Sequence, residues 1–586
     1  MTTYAERPWT KHYDEGVPLS LEPYPDGGLH DLLRQVAREH PQRDILITSV
    51  RLPLVGRRAN ATTLGELDRA SDALGAALVD MGLKKGDRVA IILPTSAAFA
   101  ITYYAILKAG GVVVACNPTY PPPKMIYQIN DCGAEYVIAM SAFYDMVKGI
   151  QAQTQLKNVI VTNIKEYLPR LGKLLFSLAL EKKGGHYVES LAPGDHWFQD
   201  LLKKYDGQKP AVEVSSQDLA LFQYTGGTTG VSKGALAMHR ALIANVLQYK
   251  AWLESSRQEG RVDVTVGALP MFHVYGMILI LSASVTRGDK VVLVPNPRDM
   301  DDLIDVIDVY KPFIFAGVPA MFDAIANHPR VKSGQASLKS IKLCGSGSAP
   351  LPPAVQDAFE PLISTQVGEG FGMSEAPTMT HGQPLEGEHR RGSVGLPLPD
   401  MDCRIVSLDD GVTDLPVGEV GELVMAGPII TQGYYNMPTE TANALREKDG
   451  KTWLYTGDIA RMDEDGYFYI VDRKKDMTLI GGFNVYPTNI EKVLKDHPAI
   501  LEVGVVGIPH PEKVGQEAVK AWIVFRPGQS ASEQDLIAYC KQYLAPYEVP
   551  RRYAFVDELP KTAIGKLLRR ELVRMEVEAR KEEAGS

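Results

Sequence analysis

From about residue 60, short apolar runs closed by Gly or Pro alternate with stretches of helical periodicity, and few folds satisfy that alternation. LGELDRASDALGAALVDMGL has helical spacing, RVAIILP reads as a buried strand, AAFAITYYAILKAG as a helix and GVVVACNP as a strand again. The pattern resumes after residue 215 with LALFQYT, VTVGALP, KVVLVP, PFIFAGVP and IKLCGSG. Strands separated by helices pair in parallel, so the expected fold class is α/β: helix-covered, mostly parallel sheets that bind ligands where strands give way to loops. Beyond residue 400 the short segments DCRIVSLDDG, GELVMAG and DGYFYIVDR predict antiparallel hairpins, a small β-rich subdomain over about 400–474. After the charged segment Asp472-Arg473-Lys474-Lys475-Asp476, ILEVGVVGIP, AVKAWIVF and SEQDLIAYCKQYL supply a separate strand and helix pattern, long enough to fold alone. A large N-terminal domain, 1–474, and a small α+β C-terminal domain, 475–586, are expected.

Composition narrows the function classes. The 586 residues allow about four ordinary domains or two large ones. A hydrophobic share of 45% and a charged share of 23% are globular usage. The formal net charge is −9 and no long basic run is present, which excludes the electrostatic footprint of a nucleic-acid binder. Five scattered cysteines, with no CxxC pair, signal neither a disulfide framework nor zinc, and fit a reducing cytosol. The opening MTTYAERPWTKHYDEG lacks the succession of a secretory signal, and the apolar stretch from Met277 to Val285 is far short of the roughly 18 residues of a spanning helix. The expectation is a cytoplasmic protein, soluble or lying on a membrane surface.

One segment stands apart. In IKEYLPRLGKLLFSLALEKKG, residues 164–184, Leu168, Leu171, Leu174, Leu175 and Leu178 fall at helical spacing among Lys165, Arg170, Lys173, Lys182 and Lys183. Most such helices pack their leucines on the protein body; the alternative is peripheral contact with anionic headgroups at the inner membrane face.

The strongest chemical signal is Tyr224-Thr225-Gly226-Gly227-Thr228-Thr229-Gly230-Val231-Ser232-Lys233-Gly234-Ala235, directly after the strand LALFQ. Glycines let a backbone approach an anion and aim N–H groups at it, while the hydroxyls and Lys233 add donors and charge. The run is not a Walker loop, because Gly234 follows Lys233. Read alone it is equally a Gly/Thr-rich turn. Further stretches follow in order: Gly368-Glu-Gly-Phe-Gly-Met-Ser-Glu375, Tyr455-Thr-Gly-Asp458, Asp472 to Asp476, Gly481-Gly-Phe-Asn-Val-Tyr-Pro487 and Pro560-Lys-Thr-Ala-Ile-Gly-Lys566. Together, from about residue 28 to 575, they resemble the adenylate-forming superfamily, and within it the bacterial long-chain fatty acyl-CoA synthetases.

That resemblance implies a ligase that joins a long-chain fatty acid to ATP, releasing pyrophosphate, and then passes the acyl group to coenzyme A, with Mg²⁺ as cofactor. It also implies that the C-terminal domain is mobile. By resemblance, residues 224–235 hold the β- and γ-phosphates, Ser374 donates to the α-phosphate and Glu375 helps hold Mg²⁺. Adenine lies between Ser346, Gly347, Ser348, Ala349, Pro350 and the stretch Glu369, Gly370, Phe371, with Gly372 and Met373 also in the ATP site; Phe371 replaces the family's usual Tyr. Asp458 takes the ribose hydroxyls, Arg473 a ribose or phosphate oxygen, and Lys566 bridges the carboxylate and the α-phosphate. Lys475 is the hinge. Gly481, Gly482 and Phe483 form the pantetheine approach, with Gly481 where the family more often has Ser. His273 orients the carboxylate, or is simply a buried, satisfied histidine. Val274, Tyr275, Gly276, Gly317 and Val318 belong to the acyl tunnel, whose apolar lining suits an alkyl chain. Without the resemblance, Glu375, Asp458 and Lys566 read as a solvated carboxylate, a turn residue and part of a solvated helix face. Partners are the small-molecule substrates, with membrane contact and a homodimer carried as further ones and nucleic acid excluded. The alternatives are a ligase for medium-chain or aryl acids, a fatty acyl-AMP ligase, a kinase and an inactive sensor; the kinase lacks its Walker lysine, and the sensor would be expected to lack Lys566 or Glu375.

Overall fold

The computed structural model describes residues 3–52, 56–224, 232–480, 483–510, 517–562 and 565–585. Two large sheets form the body. One has seven strands in the order His196–Trp197, Asn158–Thr162, Tyr136–Met140, Arg88–Ile92, Val112–Ala115, Leu219–Tyr224 and Gly234–Met238. All its pairings are parallel except the last, where Tyr224 lies opposite Gly234 across an antiparallel pair. The other has nine strands, parallel through Asp44–Leu52, Lys290–Leu293, Val264–Gly267, Ile314–Gly317, Leu343–Ser346 and Val367–Met373. Antiparallel hairpins close both its edges, at Gly56–Thr63 and at Ala376–Gly382 with Leu396–Pro397.

Every side chain of the helix Ala97–Lys108 is buried, so its apolar surface runs all round rather than along one stripe. Its last residue, Lys108, is tolerated there because Asp68 and Asp72 neutralise it at 2.5 and 2.9 Å. The neighbouring helix Leu64–Asp80 starts on a capping box, Thr63 and Glu66 exchanging side-chain bonds with each other's backbone.

Beyond residue 400 the strands Asp402–Val406, Gly421–Ala426, Leu445–Lys448, Lys451–Met462 and Phe468–Arg473 form the antiparallel sheet foreseen from their turns. It ends at Arg473, and the hairpin Thr478–Ile480 with Phe483–Val485 opens the next unit. Lys475, the expected boundary, falls between them. A three-stranded sheet, Ile500–Pro509, Glu517–Phe525 and Arg552–Phe555, then packs against Pro487–Lys495 and Glu533–Cys540. All five cysteines are buried and free. Among the described residues no helix is long and apolar enough to cross a membrane.

The leucines of residues 170–180 do not pack on the body. Leu171, Leu174, Leu175, Leu178 and Leu180 are between 38% and 76% exposed, in a helical segment that changes from α to π spacing at Phe176. The inward side is the one carrying Gly172, where a Cβ would stand 3.0 Å from Val50.

Candidate active site

A cavity of about 990 Å³ lies at the carboxyl ends of strands from both large sheets. That is the large end of the range for ligand pockets, and in open α/β sheets it is the expected place. Its wall takes Gln223, Tyr224, Ser232 and Lys233 from one sheet, and Ala316, Ser346, Gly347 and Ser348 with Glu369 to Glu375 from the other.

Ser374 and Glu375 are the two residues of a tight hairpin turn, because Met373 pairs with Ala376. The hairpin closes through Gly372, where a Cβ would come within 1.4 Å of the Thr378 carbonyl oxygen; no other residue fits. One Glu375 carboxylate oxygen accepts from the Tyr434 hydroxyl at 2.6 Å. Lys233 ion-pairs with Glu440 and lies 5.2 Å from the centre of the Tyr434 ring. The segment bearing Tyr434 is fixed by backbone bonds, Leu236 N donating to Gly433 O and Tyr435 N to Gly234 O, both 2.9 Å.

Asp458 and Arg473 are cross-strand partners, which puts Nε of Arg473 2.7 Å from one oxygen of Asp458. Among the described residues the other oxygen, Oδ2, is buried without a hydrogen-bond partner. Burial raises the pKa of this carboxyl, with Arg473 and then Lys566 pulling the other way. An orphaned buried acceptor is costly unless a ligand donates to it.

The C-terminal domain reaches the same cavity through Lys561, Thr562, Lys566, Leu568 and Arg570. The Lys566 turn is pinned at both ends: Thr562 N donates to Lys566 O at 2.8 Å, and Lys566 N to Thr562 Oγ1 at 3.0 Å. Arg473 above all, and then burial, depress the Lys566 ammonium to about 8, against the pull of Asp458. His273 is held down to about 4, by burial first and then by Lys566, so it is a neutral imidazole at ordinary pH. Its Nδ1 accepts from Tyr275 N at 3.3 Å. Glu369 moves the other way, up to about 7 through burial, although Leu351 N donates to it at 2.5 Å.

Beyond His273 the wall turns apolar: Val274, Tyr275 and Leu279 meet Tyr249, Trp252 and Leu253 of the helix His239–Trp252 and its C-cap, with Ile314 and Leu343 from two strands. Of the acyl residues expected from the sequence, Val274 and Tyr275 line this wall, whereas Gly276, Gly317 and Val318 are not among the lining residues. A Cβ on Gly276 would lie 2.3 Å from the Pro270 carbonyl oxygen, so that glycine serves a close backbone approach. Ala349, Pro350, Gly234 and Ala235 are likewise not among the lining residues, nor is Asp458, whose partner Arg473 is. Phe483 is outside it too, 55% exposed and stacked on Tyr547 at 4.5 Å. Thr225 to Val231 and Gly481 with Gly482 lie outside the described residues.

A profile of the AMP-binding enzyme family matches residues 33–435, and that of the AMP-binding enzyme C-terminal domain matches residues 489–566. The chain belongs to the AMP-binding enzyme family. It is 36% identical to a long-chain-fatty-acid–CoA ligase of Bacillus subtilis (strain 168) over 98% of this chain and 99% of that one. Among solved structures, it superposes on the anthranilate CoA ligase AuaEII in complex with anthranoyl-AMP with a TM-score of 0.80 and 25% identity, covering 96% of this chain and 99% of that chain. ATP-bound MatB from Rhodopseudomonas palustris gives 0.78 and 26%, covering 93% and 98%. The fold is thus that of the adenylate-forming enzymes.

Within this family's frame, Tyr434, Tyr249, Trp252 and Leu253 line the cavity with no signature in the sequence, and Glu440 reaches it only through its ion pair with Lys233. A metal is implied as well. Among the described residues no three His, Cys, Asp or Glu side chains converge as a cage. Mg²⁺ does not need one, since it takes one or two carboxylates and completes its shell with water and substrate phosphate. Glu375, on the cavity wall with one oxygen steadied by Tyr434, fits that donor set.

Proposed function

We propose that this chain is an ATP-dependent long-chain fatty acid–CoA ligase working in two half-reactions. In the first, a carboxylate oxygen of the fatty acid attacks the α-phosphorus of ATP, the bond to the β-phosphate oxygen breaks, and acyl-adenylate and pyrophosphate form. In the second, the sulfur of coenzyme A attacks the acyl carbonyl carbon, AMP leaves, and the thiol proton is lost to solvent.

The first step brings two anions together, so preorganised cations and donors must offset their repulsion. Residues 224–235, with Lys233 among them, hold the β- and γ-phosphates. Ser374 donates to the α-phosphate, and Lys566 stands between that phosphate and the fatty carboxylate. Asp458 accepts from a ribose hydroxyl through its unpartnered oxygen, with Arg473 beside it. Ser346 to Ser348 and Glu369 to Phe371 enclose adenine, and Phe371 offers the stacking face. Neutral His273 orients the substrate carboxylate at the head of the apolar wall. Glu375 would hold Mg²⁺, which when bound neutralises charge on the phosphates. The alkyl chain runs along Tyr249, Trp252, Leu253 and Leu279.

One observation carries this reading: Lys566 enters, from a separately folded C-terminal unit, a cavity that already combines Glu375, Arg473 and a long apolar wall. Lys475, between the two sheets, is the hinge about which the small domain turns once adenylation is complete, bringing the face of Gly481, Gly482 and Phe483 to the cavity for coenzyme A. We place the reaction in the cytoplasm, peripheral to the inner membrane face; the free, buried cysteines support a reducing compartment. The test is pyrophosphate release across carboxylates of increasing chain length, with and without coenzyme A. Release should rise with chain length, and AMP should turn over only with the thiol. A preference for aryl or short acids, or AMP release independent of coenzyme A, would overturn the assignment.

A further inference from the structure

We infer that the exposed leucine face of residues 170–180 is a docking surface for an anionic lipid bilayer. Leu171, Leu174, Leu175 and Leu178 recur at the spacing of one helical stripe, and that stripe points outward, with Leu178 76% exposed. Scattered exposed leucines need no explanation, but a contiguous stripe on a held segment does.

The segment is fixed to the body on its other side. Gly172 lies against Val50, Phe176 packs edge-on to His186 at 5.5 Å, and His186 Nδ1 meets Ser141 Oγ at 3.2 Å. Buried Glu181 receives Lys165 at 2.5 Å and Asn163 Nδ2 at 2.9 Å. The leucines are therefore presented by a set geometry.

Charge selects the occupant. Both carboxylates of the segment are already engaged, Glu181 by Lys165 and Glu166 by Lys173. Arg170, Lys182 and Lys183 are exposed, and among the described residues no carboxylate ion-pairs with them. They put net positive charge beside the apolar stripe of a chain whose overall charge is −9. Apolar residues flanked by cations match acyl chains beneath anionic headgroups. A second copy docking through the same face would set one cationic patch against another, since a two-fold contact uses the same patch of both copies. The inference deepens the proposed activity, because a long-chain acid partitions into the surface on which the enzyme would rest; its geometry is independent of that activity.

The test is co-sedimentation of the full-length protein with phosphatidylcholine vesicles, with and without phosphatidylglycerol. Wild type should bind the anionic vesicles and release as salt rises, because surface charge is screened over about 10 Å at 0.1 M. Leu174→Glu with Leu178→Glu should lower partitioning at least tenfold. Lys182→Gln with Lys183→Gln should remove the preference for phosphatidylglycerol. Unchanged melting temperature, and unchanged pyrophosphate release with a short, water-soluble acid, separate this surface from the catalytic reading. Wild type that stays in the supernatant, or a leucine variant that sediments as wild type does, would overturn the inference. So would a leucine variant whose only change is dissociation of a dimer, which would assign the face to a second copy.

Discussion

Lys566 has a lowered ammonium pKa, at about 8, because Arg473 and Lys475 repel its charge and the cavity wall strips its water. Only the protonated form offsets the meeting of carboxylate and phosphate, so adenylation by the free enzyme should be full well below pH 8, half lost near it and smaller above, about two to three pH units earlier than for an ordinary lysine. Bound triphosphate shifts that fall upward, which a comparison of kcat with kcat/KM would read. Lys566→Ala should slow pyrophosphate release by about 10²–10³-fold, the usual effect of deleting one preorganised donor. It should leave thioester formation from supplied acyl-adenylate much less affected; equal loss in both half-reactions would contradict the role. Tyr434→Phe removes the 2.6 Å bond to Glu375. A hydrogen bond to a charged group contributes about 1.5–3 kcal/mol, so the KM for MgATP should rise about tenfold or more, and calorimetry should show the same weakening of MgATP binding.

At the scale of elements, strand Leu343–Ser346 offers a direct handle on substrate choice. Gly345 lines the cavity, and a Cβ there would find only the Tyr275 hydroxyl, at 4.0 Å. Gly345→Leu should fill the apolar branch and shift the preferred acid to shorter chains, with each displaced methylene worth about 0.8 kcal/mol of binding. A pyrophosphate assay across chain lengths checks it, and the melting temperature should barely move because the new side chain enters open space. The strands, helices and hairpins around this wall were legible from period and punctuation. Its composition was not: Gly276 and Gly317 are close-packing glycines rather than tunnel lining, and Tyr249 and Trp252 lie on a helix whose pattern carries no mark of a ligand.

For the whole molecule, histidines withdrawn from water weigh on acid stability: His30, His239 and His381 in the core, and His273 in the cavity wall. Burial holds His239 and His273 down to about 4 and His381 to about 3. Each has a folded pKa below its unfolded value near 6.5, so the unfolded chain binds the extra protons and stability is fully present above that pH. It should drain as pH falls from 6.5 towards 4, by about 1.4 kcal/mol per pH unit for each histidine. Glu369, raised to about 7, works in the opposite sense and offsets one of these histidines above its unfolded value of 4.5. Urea titrations at pH 7, 6 and 5 should therefore show a net decline. His381→Asn should reduce its slope, whereas flat stability to pH 5 would contradict the assignment.

The alternating βα pattern, the antiparallel turns after residue 400 and the break at the charged segment 472–476 were all present in local sequence, because strand and helix period and turn chemistry act between near neighbours. The ordered glycine-rich motifs marked candidate nucleotide-facing residues for the same reason, and of these Ser374, Glu375, Arg473 and Lys566 line the cavity. Only the tertiary structure decided that Asp458 and Arg473 face each other across a strand pair, that Tyr434 steadies Glu375 from 59 residues away, and that the stripe at 170–180 turns outward. Register, close packing and which face of an amphipathic helix finds a partner depend on surfaces that meet only after the chain has folded, and no local period records them.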